Sequence, residues 1–310
     1  MNNVAARRLL PTLVGSVLLA GCTANNKQQA EDGQSSTDPV ATAAEAALDT
    51  QTTGADHDVQ SAETLMDDGG PVWQEIGRSR EDRAIRAATF GDGPRRVYLI
   101  AGIHGTEQEG LQNIDLIRRE LLSGEIAGRA TVRLVEDMNP DGSEAGTRHN
   151  TAGIDLNRNW PAKNFTPAND RGPEPMSEPE TRAVHADLLN FDPHIVVVLH
   201  STAEGPFVNF DGPGLSFADA FNTAAKASDE RWRVVADMGY PTPGSLGTFI
   251  GIDRGLPILT IEFERGQDAV SAWAALAPAL RAVAAHQPET GPMRLADEPR
   301  PGDRPSTLGN

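Results

Sequence analysis

Hydrophobic positions in the middle of the chain form short runs that alternate with longer amphipathic stretches. Five runs are apolar or β-branched along most of their length and predict buried strands, at residues 84–90, 96–102, 131–137, 194–200 and 257–263. Helical periodicity is found at residues 108–124, 178–191, 214–228 and 269–286. Near-continuous apolar strands that alternate with helices are typical of parallel sheets covered on both faces. The pattern therefore predicts an α/β fold, a single domain with a central mixed, largely parallel β-sheet flanked by helices.

The helix predicted at 178–191 carries its own start signal. The sequence "SEPE" places Ser177 where its hydroxyl can cap the helix and Glu180 where its carboxylate can reach back. Pro179 falls in the first turn, where proline is tolerated. We therefore expect a capping box at this N-terminus.

The two ends of the chain lack this alternation. Residues 1–21 combine two arginines with the apolar run "LLPTLVGSVLLA", which is too short to span a bilayer and indicates a signal peptide. Residues 22–70 have few bulky apolar side chains and contain ten acidic residues but only one lysine and no arginine. This composition predicts a disordered linker. The tail at 287–310 is rich in proline and glycine and is expected to wrap or fray. The folded domain is therefore expected at residues 71–286.

Cys22, the sole cysteine, ends the sequence "LAGC" directly after the apolar run. This arrangement resembles a bacterial lipobox, in which the cysteine is lipidated and becomes the mature N-terminus; the alternative is an ordinary secretion signal with a chance cysteine. The resemblance implies a lipoprotein of the cell envelope that is anchored to a membrane by its N-terminal lipid and faces the periplasm. Thr23 rather than an aspartate follows the cysteine, which favours the outer membrane.

The formal net charge of the whole chain is −17. A nucleic-acid-binding protein needs a basic face, so this charge argues against a nucleic-acid partner. With one cysteine in the sequence, a disulfide within the chain is impossible.

Candidate metal ligands follow the strand predicted at 96–102. The sequence "AGIHGTEQEG" presents His104, Glu107 and Glu109 within six residues, and His200 ends the apolar run "IVVVLH". A catalytic zinc takes three protein ligands and leaves a position open, and two imidazoles with one carboxylate form a familiar set. His104 and Glu107 are three residues apart on a turn, so both side chains can face one point. Geometry alone does not decide whether Glu107 or Glu109 is the carboxylate ligand.

A second candidate group lies in the strand predicted at 257–263. Glu262 falls inside the apolar sequence "TIEFERG", where an unpaired carboxylate would be costly. Glu264 is two residues further and faces the same side of the strand. Spacing therefore does not decide which of the two carboxylates belongs to a site.

The order of motifs carries more information than any one of them. Along the chain come H-x-x-E, then "NPDG", then "RHN", then "GIDLNRNW", then "HS", then an apolar strand that bears a glutamate. This order resembles that of the zinc metallocarboxypeptidase family over about residues 72–285. The stretches "GIDLNRNW" and "TPGSLG" are most similar to the compact bacterial members, the murein peptide amidases, which cleave the γ-D-glutamyl–diaminopimelate bond of cell-wall peptides.

The resemblance implies a zinc carboxypeptidase-like catalytic domain at 71–286 that holds one Zn²⁺. His104, Glu107 and His200 would be the metal ligands. Asp155 would lie behind His104 and fix the tautomer of its imidazole ring, as a carboxylate behind a ligating histidine does.

The same resemblance implies roles in hydrolysis. Glu262, by its place in the motif, would be the general base, and Arg148 would polarise the scissile carbonyl. Asn157 and Arg158 would hold the terminal carboxylate of a peptide substrate, with murein peptides as the expected class. An arginine suits this task because its fork binds both carboxylate oxygens, and the two arginines would make the pocket positive inside an acidic protein.

Several residues near these motifs remain open at this point. Tyr240 and Phe249 are the candidates for an aromatic that caps the substrate, and Asp253 and Arg254 lie where relatives shape specificity. Four further residues are expected to support loops or contact the ligands: Asn139, Asp141, Asn150 and Ser201. No functional role is expected for His57, His149, His185 or His194.

Two other functions fit parts of the pattern. A deacylase of the aspartoacylase and succinylglutamate desuccinylase branch shares H-x-x-E, the D-L-N-R run and the late histidine and glutamate, but "NPDG" and the spacing of "RHN" favour a peptidase. A catalytically dead lipoprotein that binds wall peptides would not need every presumptive catalytic residue, and all of them are present.

Overall fold

A computed structural model describes residues 70–287. The predicted signal peptide, the lipidated Cys22, the linker up to residue 69 and the tail from residue 288 lie outside these residues and stay predictions. Within the described part, no helix is both long enough and apolar enough to cross a bilayer.

The described chain folds into eight strands and six α-helices. The strands are β1 (Gln74–Arg78), β2 (Ala84–Phe90), β3 (Arg95–Ile100), β4 (Ala130–Val135), β5 (Ile195–Thr202), β6 (Phe207–Asp211), β7 (Val234–Val235) and β8 (Ile258–Glu264). The α-helices are α1 (Gln108–Leu111), α2 (Ile114–Leu122), α3 (Pro140–Ala145), α4 (Pro179–Phe191), α5 (Leu215–Ala225) and α6 (Ala269–Ala285). A 3₁₀ turn at Leu156–Arg158 and a π-helical turn at Thr248–Ile252 complete the set.

All eight strands belong to one sheet in the order β1-β2-β4-β3-β5-β8-β6-β7. The central strands β4, β3, β5 and β8 run parallel to one another, whereas β2 and β6 join this group in the antiparallel sense. The predicted mixed, largely parallel α/β sheet is therefore confirmed. Because β3, β5 and β8 are parallel neighbours, their carboxyl ends meet at one edge of the sheet, which is where such folds place their ligands.

Alternate side chains of the central strands fill two separate cores, one on each face of the sheet. Val97 and Leu99 of β3 pack into the first core, with the apolar sides of α2, α5 and α6. Tyr98 and Ile100 of the same strand pack into the second core, with α4 and the π-helical turn. Burial on both faces explains why these strands read as nearly continuous apolar runs.

The helix predicted at 108–124 is divided into α1 and α2. The break lies at Asn113, which is fully buried and whose side-chain amide donates to the carbonyl of Glu109. Asparagine competes for backbone groups in this way and is a poor helix former. The division turns α1 into a single turn that directs the preceding loop toward the sheet edge.

The capping box predicted at Ser177 is wrong. Helix α4 does have Pro179 in its first turn, but its N-cap residue is Glu178, and no side chain caps it. The Ser177 hydroxyl donates instead to Glu178, and Glu180 accepts from the backbone N–H of Arg80. The turn between β1 and β2 thus takes the Glu180 carboxylate, while the Ser177 hydroxyl is held by Glu178 and by the side-chain amide of Asn159.

The short elements β1, β6, β7 and α3 were absent from the sequence prediction. Helix α3 arises within "NPDG": the Asn139 side chain accepts from the N–H of Gly142 at 3.0 Å, and Pro140 occupies the first turn. This is a standard helix start of six residues, hidden in a sequence that is typical of turns.

Gly102 lies just after β3, at the start of the loop that carries His104 and Glu107. Its φ is +70°, and a Cβ there would lie 2.2 Å from Oδ1 of Asp137, which is held by the N–H of Asn139. We expect Gly102→Ala to lower the free energy of unfolding by about 2–4 kcal/mol, the sum of left-handed backbone strain and overpacking. Urea unfolding measures this loss.

Gly146 provides the matched control for Gly102. Its φ is +63°, but nothing lies within 4 Å of the place where a Cβ would be. Gly146→Ala should therefore cost only the backbone strain, about 1–2 kcal/mol. Equal losses in the two variants would contradict the close approach at Gly102.

Candidate active site

The sheet edge at the ends of β3, β5 and β8 gathers the residues that the motifs single out. His104 and Glu107 lie in the loop between β3 and α1, and His200 lies near the end of β5. Glu262 of β8 is the direct register partner of His200. All four side chains are buried, with exposed fractions between 2% and 8%. These residues are far apart in the sequence but converge because β3, β5 and β8 are parallel neighbouring strands whose carboxyl ends lie at the same edge of the sheet.

Both histidines approach the carboxylate of Glu107 through the same ring atom. His104 Nδ1 is 2.9 Å from Glu107 Oε1, and His200 Nδ1 is 2.7 Å from Glu107 Oε2. One candidate ligand atom from each residue lies within 4.8 Å of the others. The three side chains therefore form a compact metal-binding group.

The Nε2 atom of each imidazole points away from Glu107 and faces a residue of the segment 155–157. His104 Nε2 is 3.0 Å from Asp155 Oδ1, and His200 Nε2 is 3.4 Å from Nδ2 of Asn157. A carboxylate behind Nε2 favours the tautomer with the proton on that atom and leaves the lone pair of Nδ1 free. Asp155 thus stands where the tautomer of His104 would be fixed.

The donor set fits zinc. Two imidazole nitrogens and one carboxylate, buried and convergent, match a catalytic zinc site, which keeps a position open for the reaction. The carboxylate of Glu107 also accepts from the backbone N–H of Ser201 at 3.2 Å, so its orientation is fixed before any metal binds. His104, Glu107 and His200 are therefore the residues that would hold the ion.

The charges of this group support one another. Burial alone would raise the pKa of Glu107, but the charge of His200 and hydrogen bonds with both histidines hold it well below its usual range. Burial would lower the pKa of His104, but its hydrogen bonds to Asp155 and Glu107 raise it. Burial would also raise the pKa of the Asp155 carboxyl, but its hydrogen bond with His104 lowers that pKa below its ordinary value. Both carboxylates are thus ionised at neutral pH.

Glu109 does not join the metal-binding group. It lies in the single turn of α1, and its Oε1 accepts from the backbone N–H of Gly266 at 2.6 Å. The competition that spacing left open between Glu107 and Glu109 is therefore decided by the turn, which directs Glu107 toward the histidines.

Glu262 and Glu264 have different surroundings although they share one side of β8. The Glu262 side chain is 8% exposed and lines the cavity at the sheet edge. Burial and the carboxylate of Glu107 raise the pKa of its carboxyl, the charges of His200 and two arginines oppose this, and the net result is a pKa of about 7. Glu264 is 40% exposed and accepts from Arg231 at 2.7 Å. Only Glu262 is positioned for proton transfer in the cavity.

Arg148 contacts both carboxylates that surround His104. Its Nη1 donates to Glu107 Oε1 at 2.7 Å, and its Nε and Nη2 approach Asp155 Oδ2 at 3.4 and 3.3 Å. Arg148 also lines the cavity, as expected for a residue that faces a substrate.

Asn157 and Arg158 lie side by side in the 3₁₀ turn and both line the cavity. The Asn157 side-chain oxygen accepts from the N–H of Leu246 at 3.0 Å, while Nη1 of Arg158 donates to the carbonyl of Asn157 at 2.7 Å. Asp155 accepts from the N–H of Asn157 at 2.8 Å and so ties this turn to the metal-binding group.

Loop residues near the motifs shape turns or contact the ligands. Asn150 is buried, accepts from the N–H groups of Ala152 and Ile154, and donates to Glu178. Asn139 caps α3 and donates to the carbonyl of Arg148 at 3.3 Å. The loop that carries Arg148 is thus held by two buried amides.

Asp141 serves the turn between β1 and β2, at a distance from the cavity. Its carboxylate accepts from the hydroxyl of Ser79, from the guanidinium of Arg83 and from the N–H of Glu81. This agrees with the expectation that Asp141 supports a loop.

The structure separates the remaining candidates. Tyr240 is 54% exposed and lines the cavity, whereas Phe249 is fully buried in the second core. Asp253 accepts from the N–H of Lys163, and the guanidinium of Arg254 lies over the ring of Phe249, 3.7 Å from its centroid. Of these four, only Tyr240 is therefore placed to cover a substrate.

Three of the histidines without an expected role, His149, His185 and His194, lie outside the metal-binding group. His185 packs against the rings of Trp160 and Phe249, and His194 just before β5 accepts from the N–H of Arg96. His149 follows Arg148 and does not line the cavity. His57 lies outside the described residues.

Three charged residues of the cavity, Asp211, Asp237 and Arg265, were missed by sequence reasoning. The cavity has a volume of about 230 Å³, and its lining includes Asp211 at the end of β6 and Arg265 just after β8. Asn209 and Asp211, two apart in "FVNFD", were the available signal, because alternation in a half-buried strand puts both on one face. Arg265 had no pattern to mark it, since a charged residue after a strand is common.

Residues 72–241, more than half of the chain, match the model of the zinc carboxypeptidase family. Murein peptide amidase A of Escherichia coli (strain K12) is 31% identical over 186 residues, which cover 53% of this chain and 69% of the relative. The protein of the same name from Vibrio campbellii is 30% identical over 185 residues, 54% of this chain and 68% of the relative.

Solved structures agree with these relatives. The crystal structure of murein-tripeptide amidase from Escherichia coli O157 has a TM-score of 0.55 at 25% identity and covers 71% of this chain and 94% of that one. Thrombin activatable fibrinolysis inhibitor has a TM-score of 0.59 at 17% identity over 70% of this chain and 71% of that one, a likeness of fold alone. The family match, the relatives and the metal-binding group agree, and the chain is a hydrolase that belongs to the zinc carboxypeptidase family.

Proposed function

We propose that this protein hydrolyses the amide bond that precedes a residue with a free carboxylate in cell-wall peptides, and that this residue also carries a cationic group. Diaminopimelate, the residue after the γ-D-glutamyl bond of murein peptides, has both features. The observation that carries the proposal is the carboxylate of Asp211, which faces the same cavity as Asn157 and Arg158.

Asp211 is an anion without a counter-ion. Within residues 70–287 its carboxylate has no hydrogen-bond or ion-pair partner, and partial burial raises its pKa. A partly buried carboxylate has lost some of its hydration and is stabilised by a partner of opposite charge. An ammonium group on a bound substrate would supply that partner inside the cavity.

Asp211 and the pair Asn157–Arg158 lie on the same side of the reactive centre. Asn157 accepts from the N–H of Leu246, and a Cβ on the next residue, Gly247, would lie 2.3 Å from Oδ2 of Asp211. A single bound residue could therefore reach Arg158 with its carboxylate and Asp211 with its ammonium group.

In the proposed reaction, a water molecule attacks the amide carbon and the C–N bond breaks. Zinc, when bound, would act as a Lewis acid and lower the pKa of water toward neutrality. The Glu262 carboxylate takes the proton from the attacking water and delivers it to the leaving amine nitrogen, so that a carboxylate and a protonated amine are released after the usual ionisation.

The arginines and Asn157 would position the substrate during this reaction. The guanidinium of Arg148 would stabilise the negative charge that develops on the carbonyl oxygen, a task for which a fixed cation in a partly dry site is suited. Asn157 and Arg158 would hold the free carboxylate of the leaving residue, which sets the distance between the scissile bond and Glu262.

A second candidate substrate rests on the same observation. Asp211 would equally attract the side chain of a C-terminal lysine or arginine in an ordinary α-linked peptide, since either cation pairs with a carboxylate. The family match does not favour the deacylase alternative, because it identifies a carboxypeptidase.

The tripeptide L-Ala-γ-D-Glu-diaminopimelate tests the proposal. Zinc-loaded protein should release free diaminopimelate, and a chelator should stop the release; mass spectrometry of the products measures both. Asp211→Asn should lower kcat/KM by about 10- to 100-fold, because a charge-assisted hydrogen bond contributes about 1.5–3 kcal/mol.

The control is a tripeptide in which alanine replaces diaminopimelate. Its slower cleavage should change little in Asp211→Asn, since it has no ammonium group for Asp211 to bind. Equal effects on both peptides would contradict the role of Asp211. A clear preference for an α-linked peptide that ends in lysine would favour the second candidate.

We also propose that the enzyme acts in the cell envelope. This rests on the lipobox-like "LAGC" before residue 23 and on the wall peptides proposed as substrate. Lipidation of Cys22 remains a prediction.

A further inference from the structure

The cavity is a groove that follows β6 and β8, with Glu262 between its two ends. In the antiparallel pair, Asp211 is opposite Ile258, Asn209 is opposite Thr260, and Phe207 is opposite Glu262. Asp211 therefore lies four residues of β8, about 13 Å, from Glu262 in the direction of the N-terminus of β8. Arg265 lies in the opposite direction, just beyond the C-terminus of β8, and also lines the cavity.

These two directions correspond to the two sides of a scissile bond. Asn157 and Arg158 contact the segment next to Asp211, so the residue with the free carboxylate belongs at the Asp211 end. The acyl part of the substrate must then extend past Glu262 toward Arg265.

One hydrogen bond fixes the position of the Arg265 guanidinium and, within residues 70–287, leaves its other N–H donors unused. Its Nη2 donates to the carbonyl of Ser201 at 2.8 Å and lies 3.7 Å from Glu107 Oε1. Its other N–H groups have no acceptor within the described part of the chain, and the side chain is 50% exposed. Arg148, in contrast, directs three of its five N–H groups to the carboxylates of Glu107 and Asp155.

The position of Arg265 is fixed by one carbonyl, and its remaining N–H groups lie near the metal-binding group. Such an arginine can bind a planar anion. A guanidinium presents five N–H groups in a fixed fork that matches a carboxylate. Glu204 is the nearby acidic alternative, but it accepts from the hydroxyl of Thr202 and forms no ion pair with Arg265 within 4 Å.

We propose that Arg265 binds a free carboxylate on the acyl side of the scissile bond, and so selects substrates whose acyl residue is acidic at that position. The inference rests on the proposed function and makes it more specific. A γ-linked glutamate fits, because its α-carboxylate stays free and is joined to the scissile carbonyl through the three carbons of its own backbone and side chain, Cα, Cβ and Cγ. An α-linked peptide with a neutral acyl residue has no such group.

Binding to the zinc-loaded Glu262→Gln variant, in which hydrolysis is expected to be about 10²–10⁴ times slower, tests Arg265 separately from turnover. The two probes are L-Ala-γ-D-Glu-diaminopimelate and the same tripeptide with the glutamate α-carboxylate replaced by a carboxamide. Calorimetry should show the carboxylate form to bind about tenfold more tightly, a modest factor because Arg265 is half-exposed. Adding Arg265→Gln should remove this difference while the affinity for the carboxamide form changes little.

Arg231→Gln in the same background is the matched control. Arg231 is exposed to a similar extent, at 56%, but pairs with Asp229 and Glu264 and does not line the cavity, so the tenfold preference should survive. Equal binding of both probes, a preference that survives Arg265→Gln, or an equal loss for both probes in that variant would overturn the inference. A preference for the carboxylate probe that depends on Arg265, together with no hydrolysis by the wild type, would overturn the proposed function alone.

Discussion

Glu262→Gln should lower kcat by about 10²–10⁴ while zinc content and fold are retained. The amide keeps the shape of the side chain but cannot take a proton from water or return it to the leaving amine. Because the carboxyl lies in the cavity with a pKa raised to about 7 by burial, its replacement by a neutral group should not leave a buried charge unpaired. Steady-state hydrolysis of the tripeptide, with metal analysis of the same sample, measures both quantities.

Glu264→Gln is the matched control on the same strand. Its carboxylate pairs with Arg231 at the surface, so the variant should change kcat little and stability by less than about 1 kcal/mol. If Glu264→Gln abolished turnover and Glu262→Gln did not, the proton-transfer role would belong to the other carboxylate.

His200→Ala should reduce bound zinc from about one ion per chain to a small fraction of that, and hydrolysis should fall in proportion. The substitution removes one of three ligands and leaves His104 and Glu107, a set that holds zinc far more weakly. Elemental analysis of protein purified from zinc-supplemented medium measures the occupancy independently of activity.

His194→Ala controls for the loss of a histidine next to the same strand. His194 lies just before β5, at the end opposite His200, and accepts from the backbone N–H of Arg96. Its replacement should leave zinc occupancy unchanged and cost at most about 1–3 kcal/mol of stability. Full zinc occupancy in His200→Ala would remove His200 from the ligand set.

The central strands could be predicted from the sequence because burial on both faces makes them continuously apolar. The runs at 96–102 and 194–200 correspond closely to β3 and β5. The edge strands β1 and β7 could not be found this way. They are only five and two residues long and contribute no fully buried side chain, so they leave little hydrophobic pattern.

The metal-binding group was predictable because its members follow or end buried strands. Spacing alone could not choose between Glu107 and Glu109, since the choice depends on the single turn of α1 that directs one carboxylate inward. Asp211 escaped detection for a related reason: its strand pairs with β8 in the antiparallel sense, and only that register brings it into the groove.

The groove with Asp211 at one end and Arg265 at the other has a direction as well as a shape. A peptide that carries a cation near its leaving end and an anion near its acyl end would be aligned by both charges before close contact is made. The same peptide in the reverse direction would place its cation beside Arg265 and its anion beside Asp211, so discrimination would come from repulsion as much as from attraction. Since both groups are partly exposed, this polarity should weaken as salt screens them, and an excess of salt would make the enzyme slower and less discriminating together.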